Sequence, residues 1–404
     1  MIKLAFIFLY LCATLCWSCG SQTKNAITQA GRWELLFDIG EVKIPARLDI
    51  SGDGKWTIVN SSEEIIIDSI EWKGANFHVK LPLFNSVLDG KIINSKLLSG
   101  TWSDHSRDSI YQIPFEASLK SFSEPKANED HVYSVVYETL FSPNSSKDQT
   151  PAVGLISYLD KKTEGTFMTE SGDFRFLEGR IEGSEIYLSC FDGSHLFYFT
   201  ATRFGNSLVN GVFYSGKHWK EPWVAHEDST ASLRNPDSLT VIENNTGRLK
   251  FRVKSLSGES VTLDSTMFKD KVTIVQIFGS WCPNCTDESK FFKNLYSKYG
   301  NKGLQIIPVA FERIRDFNKN KEIISQQFEK LGLSYAWYYG GDKTETSSVF
   351  AELSQITSFP TAIFIDKSGK IRKIHTGFYG PGTGKYYAHH TELLDMFVAQ
   401  LLLE

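Results

Sequence analysis

A short apolar segment that ends in two cysteines constrains the fold of this chain more than any other feature. The run 272–278 is rich in β-branched residues and is typical of a buried strand. Cys282 and Cys285 follow it, and apolar residues then recur at helical spacing from Thr286 to Tyr299. The pattern predicts a strand, a tight turn and a helix. Pro283 suits the first helical turn, because it has no N–H to lose there.

The predicted place of Cys282, at the helix N-terminus, favours thiol chemistry. Unpaired N–H groups and the positive end of the helix dipole stabilise a thiolate, so we expect the pKa of Cys282 to lie below the free value of about 8.5. We expect its sulfur to be exposed. Cys285 follows one turn later, close enough to form a disulfide with Cys282, and should be more buried and less reactive.

Two plainer interpretations of the cysteine pair are weaker. Zinc usually takes four ligands, and beyond the predicted signal peptide and Cys19 the sequence contains no second Cys pair and no H-x3-5-H partner, so we expect no metal. An inert structural disulfide stays open, but it fits less well beside Trp281 on a strand-to-helix turn.

A second constraint is Phe359-Pro360-Thr361, where a proline directly precedes another apolar run. Proline is tolerated at the first residue of a strand, and X-Pro is the peptide bond that adopts the cis form at modest cost. Further strands at 304–311 and 370–375 and a helix at 319–331 complete an alternating order. This order predicts a mainly parallel sheet covered by helices.

Residues 247–404 resemble a thioredoxin-fold domain of the TlpA/ResA kind, the extracytoplasmic thiol-disulfide oxidoreductases of bacteria. The resemblance rests on Trp281-Cys282-x-x-Cys285, on Phe359-Pro360-Thr361, and on the segment 256–263, which is similar to the strand-turn-strand start of that group. It implies an α/β thioredoxin-like fold and a redox-active dithiol.

The resemblance also implies roles for single residues. It implies that Pro360 is cis, faces the dithiol and receives substrate backbone, with Trp281 and Phe359 beside it. It implies a buried carboxylate three residues after the second cysteine, which is Glu288 in this sequence. If Glu288 is buried, its pKa is raised and it can exchange protons with Cys285. A solvated helix residue is the alternative.

The expected activity is disulfide exchange in two steps, without a cofactor. The thiolate of Cys282 attacks a substrate disulfide, and Cys285 then attacks Cys282 to release the reduced substrate. The implied partners are protein thiols and disulfides of the cell envelope and a membrane or envelope electron donor. We favour reduction by resemblance alone. An oxidase or isomerase would use the same site, and a β-domain binding protein with a scaffold thioredoxin domain is a third hypothesis.

The N-terminus predicts export. Lys3 and the apolar stretch 4–15 are typical of a signal peptide, assigned to 1–18, whose apolar run is too short to span a bilayer well. Cys19 and the polar residues after it resemble the lipid-modified start of bacterial lipoproteins. This implies a tether at 19–30 and a location in the periplasm or cell envelope, anchored to a membrane through Cys19. Simple cleavage or a retained anchor stays open, because the residues before Cys19 depart from the usual Leu-led box.

The region from 31 to 228 predicts an all-β fold, because apolar and polar residues alternate in short runs broken by turn residues. Segments 70–79 and 177–188 resemble each other, as do 96–102 and 206–213, at an offset near 110. The repeat predicts two similar β modules, or one barrel or sandwich with an extended sheet. Chance likeness among hairpins is the alternative.

The whole chain is therefore interpreted as multidomain, with β module 1 at 31–120, β module 2 at 121–228, a linker at 229–246 and the redox domain at 247–404. Its 404 residues, 41% of them hydrophobic, can form two or three cores. A net charge of −4 without basic tracts gives no reason to expect nucleic acid as a partner. Cys190 lies on an alternating strand and is expected to be a buried core residue.

Overall fold

The computed structural model describes residues 28–107, 109–120, 132–160 and 162–404. The predicted signal peptide 1–18 and Cys19 lie outside these residues. The strands of the first β region are β1 (Gly31–Asp38), β2 (Lys43–Ile50), β3 (Trp56–Asn60), β4 (Glu63–Ile66), β5 (Glu71–Lys73), β6 (Asn76–Lys80), β7 (Ser86–Asn94), β8 (Leu97–Asp104) and β9 (Tyr111–Leu119).

The second β region follows directly in the chain. Its strands are β10 (Val132–Phe141), β11 (Thr150–Leu159), β12 (Lys162–Thr169), β13 (Gly172–Asp173), β14 (Leu177–Glu182), β15 (Glu185–Phe191), β16 (Leu196–Phe204), β17 (Ser207–Ser215) and β18 (Trp219–Glu227).

The C-terminal region mixes strands and helices. Its elements are β19 (Phe251–Lys254), β20 (Ser260–Leu263), α1 (Ser265–Phe268), β21 (Val272–Phe278), α2 (Pro283–Tyr299), β22 (Leu304–Glu312), α3 (Phe317–Leu331), β23 (Tyr338–Asp342), α4 (Thr346–Val349), β24 (Thr361–Ile365), β25 (Ile371–Thr376) and α5 (Lys385–Leu403). Among the described residues no helix is both long and apolar enough to cross a membrane.

Each β region is an antiparallel sheet in which the first strand pairs with the last. In the first sheet β1 pairs with β2 and β9, and within the described residues the sheet is open between β4 and β5. In the second sheet β10 pairs with β18, and β11 also pairs with β12, so the sheet closes on itself. The prediction of an all-β region is confirmed.

The two sheets correspond strand by strand. The segments 70–79 and 177–188 fall on the hairpins β5–β6 and β14–β15. Strands β8 and β17 begin at Leu97 and Ser207, which are 110 positions apart. This agreement of strand order and spacing supports the repeat, which stays an interpretation.

The two β sheets pack on each other through Phe191, at the end of β15. Its ring lies 4.6 Å from the ring of Phe37 and 5.2 Å from that of Trp102, both in the first sheet. The side-chain amide of Asn60 donates to the Phe191 carbonyl and accepts from the Phe191 N–H, each at 3.0 Å. Because Asn60 pairs with both backbone groups, the end of β15 is buried between the sheets without leaving the Phe191 N–H or carbonyl unpaired.

The C-terminal sheet has the strand order β20-β19-β23-β22-β21-β24-β25. It is mixed, so the prediction of a mainly parallel sheet is wrong. The pairs β21–β22 and β22–β23 are parallel, whereas β24 runs antiparallel to both β21 and β25. The turn 366–369 is too short for a crossover, and two strands joined by such a turn must be antiparallel.

Strand β23 was not predicted. It contains Gly340 and Gly341, which weaken the sequence signal for a strand. A Cβ at position 340 would collide with the ring of Phe311 in β22, so glycine allows β23 to approach β22 closely.

The predicted linker 229–246 contacts the C-terminal domain. Asp237, in a short 3-10 turn, lies 2.6 Å from His375 Nδ1 and 2.9 Å from Lys373 Nζ. These contacts join the segment to β25.

Candidate active site

Strand β21 and helix α2 position the two cysteines. Every residue of β21 is buried, and the strand leads through a tight turn to Cys282. Cys282 is the N-cap of α2, its Sγ accepts a hydrogen bond from Cys285 N at 3.2 Å, and Pro283 follows in the first turn. A disulfide joins Cys282 and Cys285, whose Cα atoms are 5.3 Å apart. The amides that meet this sulfur would also stabilise a thiolate.

The residues predicted to bind substrate lie around this disulfide. The Phe359–Pro360 peptide bond is cis, and the Phe359 carbonyl oxygen lies 3.7 Å from Cys282 Sγ. The ring of Trp281 lies 5.5 Å from that of Phe359, and its Nε1 donates to the Phe311 carbonyl at 3.1 Å. The geometry brings Trp281, Phe359 and Pro360 together, and their role stays a prediction.

Glu288 lies in the interior of the domain, at 0% exposure. The solvated alternative therefore does not hold. Gln276 Nε2 donates to Glu288 Oε2 at 2.9 Å, while Oε1 has no hydrogen-bond partner among the described residues. Burial raises the pKa of Glu288 to about 8, against the smaller lowering effect of the Gln276 hydrogen bond.

Gln276 is a site residue that the sequence analysis missed. Its Nε2 lies 3.4 Å from the Cys285 carbonyl as well as 2.9 Å from Glu288 Oε2. It therefore links the backbone of the inner cysteine to the buried carboxylate. A sequence signal existed, because an amide in the middle of an otherwise apolar buried strand needs a polar partner.

Glu312, at the end of β22, was also missed. Its carboxylate accepts hydrogen bonds from Ser280 N and Ser280 Oγ, both at 2.8 Å, and burial raises its pKa to about 7. The Arg313 guanidinium lies 4.1 Å from the centre of the Trp281 ring. These contacts fix the turn that carries Trp281 and Cys282.

The expectation that Cys282 is exposed is wrong, because only 6% of the residue is accessible to solvent. The physical reason is that the β region packs against this face of the C-terminal domain. Ser194 Oγ donates to the Trp281 carbonyl at 2.8 Å, and Asn284, between the two cysteines, donates to the Asp173 carbonyl at 3.2 Å.

A buried ion cluster, which the sequence analysis did not anticipate, lies next to the dithiol helix. Arg175, in the second β region, pairs with Asp287, two residues after Cys285. The same guanidinium lies 2.8 Å from Glu63 in the first β sheet and 3.4 Å from Asp192. One side chain thus connects all three regions of the chain.

Cys190 lies in a different hydrophobic core from Cys282 and Cys285. It is 1% exposed, and burial raises the pKa of its thiol. Its position in the core of the second β sheet confirms the sequence-based expectation.

The C-terminal domain can be compared with known proteins. Residues 244–386 match the family model for Redoxin. The C-terminal domain, called the Redoxin domain below after this match, resembles thioredoxin-fold domains of the TlpA/ResA kind. The predicted order, an all-β region followed by an α/β thioredoxin-like fold, is confirmed.

Two similar curated relatives carry the name thiol-disulfide oxidoreductase ResA. The relative from Halalkalibacterium halodurans is 29% identical over 131 residues, which are 32% of this chain and 66% of the relative. The relative from Bacillus thuringiensis subsp. konkukian is 31% identical over 121 residues, which are 30% of this chain and 62% of the relative. The chain thus spans just under two thirds of the length of these relatives.

Solved structures with a similar fold include a thiol:disulfide interchange protein of the thioredoxin family from Chlorobium tepidum, at 20% identity and a TM-score of 0.30. The alignment covers 43% of this chain and 99% of that one. A secreted thiol-disulfide isomerase from Corynebacterium glutamicum aligns at 18% identity and a TM-score of 0.32, over 43% of this chain and 99% of its own.

Proposed function

We propose that the protein is a thiol-disulfide oxidoreductase that reduces disulfides of extracytoplasmic proteins through Cys282 and Cys285. The observation that carries this proposal is the N-cap position of Cys282, joined to Cys285 and facing the cis Phe359–Pro360 bond. The names of the curated relatives support the same chemistry. Export and a lipid anchor at Cys19 complete the proposal.

The first step uses Cys282 in the reduced protein. Its thiolate, stabilised by the start of α2, attacks one sulfur of the substrate disulfide. The bond between the two substrate sulfurs breaks, and the departing sulfur takes a proton. A mixed disulfide now joins Cys282 to the substrate.

The second step uses Cys285. Its thiol loses a proton and attacks Cys282 Sγ, the mixed disulfide breaks, and the second substrate sulfur leaves as a thiol. Two electrons have passed to the substrate, and the protein holds the Cys282–Cys285 disulfide seen in the structure. An electron donor in the membrane or envelope must then return the dithiol to its reduced form.

Glu288 is the group proposed to exchange the proton of Cys285. Its raised pKa, about 8, is close to the pKa of a free thiol, about 8.5, and proton transfer is efficient between groups of matched pKa. Gln276 holds the carboxylate beneath the inner cysteine by contacting both.

Trp281, Phe359 and Pro360 are proposed to receive the substrate. The two rings form an apolar wall beside the sulfurs. The loop at the cis bond presents backbone groups next to Cys282.

An insulin-reduction assay tests the proposal. The full chain should accelerate the reduction of insulin by dithiothreitol, the Cys282→Ser variant should show no acceleration, and Cys190→Ser, which removes a buried thiol outside the site, should retain it. Equal rates for wild type and Cys282→Ser would contradict the proposal. A reduction potential near that of thioredoxin, about −270 mV, supports a reductase, whereas one above about −180 mV indicates an oxidase or isomerase.

Natural substrates can be identified by trapping. A Cys285→Ser variant cannot complete the second step, so it should accumulate mixed disulfides on Cys282 that dithiothreitol releases. The double variant with Cys282→Ser is the matched control.

A further inference from the structure

A turn of the second β region lies across the groove between the dithiol and the cis-proline loop. This turn, residues 169–173, joins β12 to β13 and is called the strap. Its Asp173 carbonyl accepts a hydrogen bond from Asn284 at 3.2 Å, and its Ser171 carbonyl accepts one from Ser358 Oγ at 3.2 Å. Asn284 lies between the cysteines and Ser358 lies two residues before Pro360, so the strap contacts both halves of the candidate site.

Glycines allow the strap to lie this close. Gly172 has a φ of +143°, and a Cβ at this position would collide with the Asn284 side chain. On the opposite surface, a Cβ at Gly377 would lie 2.6 Å from the Glu170 carbonyl oxygen. A larger residue at position 377 would force the two surfaces apart, and one at position 172 would displace the Asn284 side chain from the strap.

The buried ion cluster holds the strap in place. Arg175 follows the strap by two residues and contacts Asp287 on the dithiol helix, Glu63 and Asp192. We call these four side chains the latch. Separating Asp287 from the other three would leave charged groups without their partners, which is costly in a buried position.

Two further contacts join the β regions to the Redoxin domain. Ser194 binds the Trp281 carbonyl, and Gln327 Nε2 donates to the Leu83 carbonyl of the first sheet at 3.2 Å. With the β regions packed in this way, Cys282 is 6% exposed and Cys285 is 0% exposed. A protein disulfide cannot reach either sulfur in this arrangement.

We propose that the two β sheets form an intramolecular cover, with the strap seated where the backbone of an extended substrate segment binds, and that disulfide exchange with proteins requires the cover to move away. The inference rests on the proposed function and concerns the regulation of the same site. The strap binds through two main-chain carbonyls, so it satisfies the donors of Asn284 and Ser358 that an extended peptide would otherwise satisfy. The strap and the substrate therefore compete for one surface.

The accessibility of Cys282 tests the cover without any change to the latch or the strap. In a full chain with Cys285→Ser and Cys190→Ser, Cys282 is labelled with iodoacetamide and with a 5-kDa maleimide polymer, both in native buffer and in urea. The ratio of polymer labelling to iodoacetamide labelling should be at least about tenfold lower in native buffer, because the cover must open before the polymer can reach the sulfur. Equal ratios in the two conditions would overturn the inference.

Two variants of the cover have matched controls. Arg175→Met removes the cation of the latch, and Gly172→Ala displaces the Asn284 side chain that binds the strap. The control for Arg175→Met is Arg180→Met, at an exposed arginine that pairs within its own sheet. The control for Gly172→Ala is Gly183→Ala, at a positive-φ glycine where the new Cβ has no atom within 4 Å. Gly172→Ala keeps the test available if Arg175→Met does not fold.

Both cover variants should raise the rate of polymer labelling and of insulin reduction by at least about tenfold, while the two controls leave both rates unchanged. Wild-type rates in both folded cover variants would overturn the cover and leave the proposed function intact. Faster labelling of Cys282 without any insulin reduction would instead support the cover and contradict the proposed function.

Discussion

The disulfide lies between two surfaces that are built differently. Beneath it, Glu288 is buried in the Redoxin domain and has no ion-pair partner among the residues that the structure describes, and burial raises its pKa to about 8. Above it, Asp192 is also buried; burial opposes its ionisation, yet His195 and Arg175 hold the pKa of Asp192 below its ordinary value. Two carboxylates that are similarly buried thus have pKa values shifted in opposite directions. The lower surface is suited to exchanging a proton, and the upper one to holding the regions of the chain together.

The largest expected effect comes from breaking the ion cluster above the disulfide. Arg175→Met leaves Glu63, Asp192 and Asp287 buried without their common cation and should lower the free energy of unfolding by about 3–5 kcal/mol. Urea denaturation followed by circular dichroism measures it. Arg180→Met should stay within about 0.5 kcal/mol of wild type. If the two variants lose the same amount, the ion cluster does not stabilise the protein.

The next effect concerns the carboxylate beneath the disulfide and depends on pH. The ordinary pKa of a glutamate is 4.5, and that of Glu288 in the folded protein is about 8. Between these two pH values the unfolded chain has lost the proton of Glu288 but the folded protein keeps it. The folded state binds more protons in this window, so the free energy of unfolding falls as pH rises. Glu288→Gln removes this pH-dependent loss of stability. The variant should be more stable than wild type by about 2–4 kcal/mol at pH 9, with no difference at pH 4.

Chemical denaturation at several pH values measures the effect of Glu288→Gln. The matched control is Glu329→Gln, an exposed glutamate on helix α3 of the same domain, which should follow the wild-type profile. A stability difference that does not change with pH would show that Glu288 is ionised in the folded protein at neutral pH.

A smaller effect separates the amide of Gln276 from the charge of Glu288. Gln276→Leu removes the hydrogen bond to Oε2, so the carboxylate loses a partner at a cost of about 1–3 kcal/mol, and the pKa of Glu288 should rise further. The pH at which stability stops falling should therefore increase. Thr273→Val, on the same strand, is the control, because Thr273 Oγ1 has no hydrogen-bond partner among the described residues. An unchanged pH profile in Gln276→Leu would contradict the assigned contact.

The smallest effect is expected from a single hydrogen bond across the interface. Ser194→Ala removes the contact with the Trp281 carbonyl and should cost about 0.5–1.5 kcal/mol. Since 1.4 kcal/mol corresponds to a factor of ten, the rate at which the 5-kDa polymer labels Cys282 should rise by about two- to twelvefold. Ser184→Ala, at an exposed hairpin turn, should leave both quantities unchanged. A Ser194→Ala protein that is labelled as slowly as wild type would show that this contact does not hold the cover.

The surface beneath the disulfide could be largely predicted from the sequence. The strand, the N-cap cysteine and the helix follow from local periodicity. The burial of Glu288 was implied by the family resemblance alone, and the residues themselves left a solvated side chain open. Gln276 was missed although it interrupts an apolar strand, because a single polar residue in such a run does not reveal which group it contacts.

The surface above the disulfide could not be predicted. Gly172 lies in a two-residue strand, and Arg175 and Ser194 lie in irregular segments of the β region, about one hundred positions before the cysteines. No local pattern identifies what such residues contact. The expected exposure of Cys282 was wrong for the same reason, since it treated the Redoxin domain alone. The mixed sheet was also missed, because periodicity identifies strands but not the direction in which they pair.

The order of the regions along the chain gives the cover a role during biosynthesis. Ser171, Arg175 and Ser194 are synthesised before the two reactive cysteines, and domains generally fold in that order. The β sheets are therefore already folded when the thiols emerge, and they cover Cys282 once the Redoxin domain folds against them. From that point newly made Cys282 is sheltered from stray oxidation and from the cysteines of neighbouring chains.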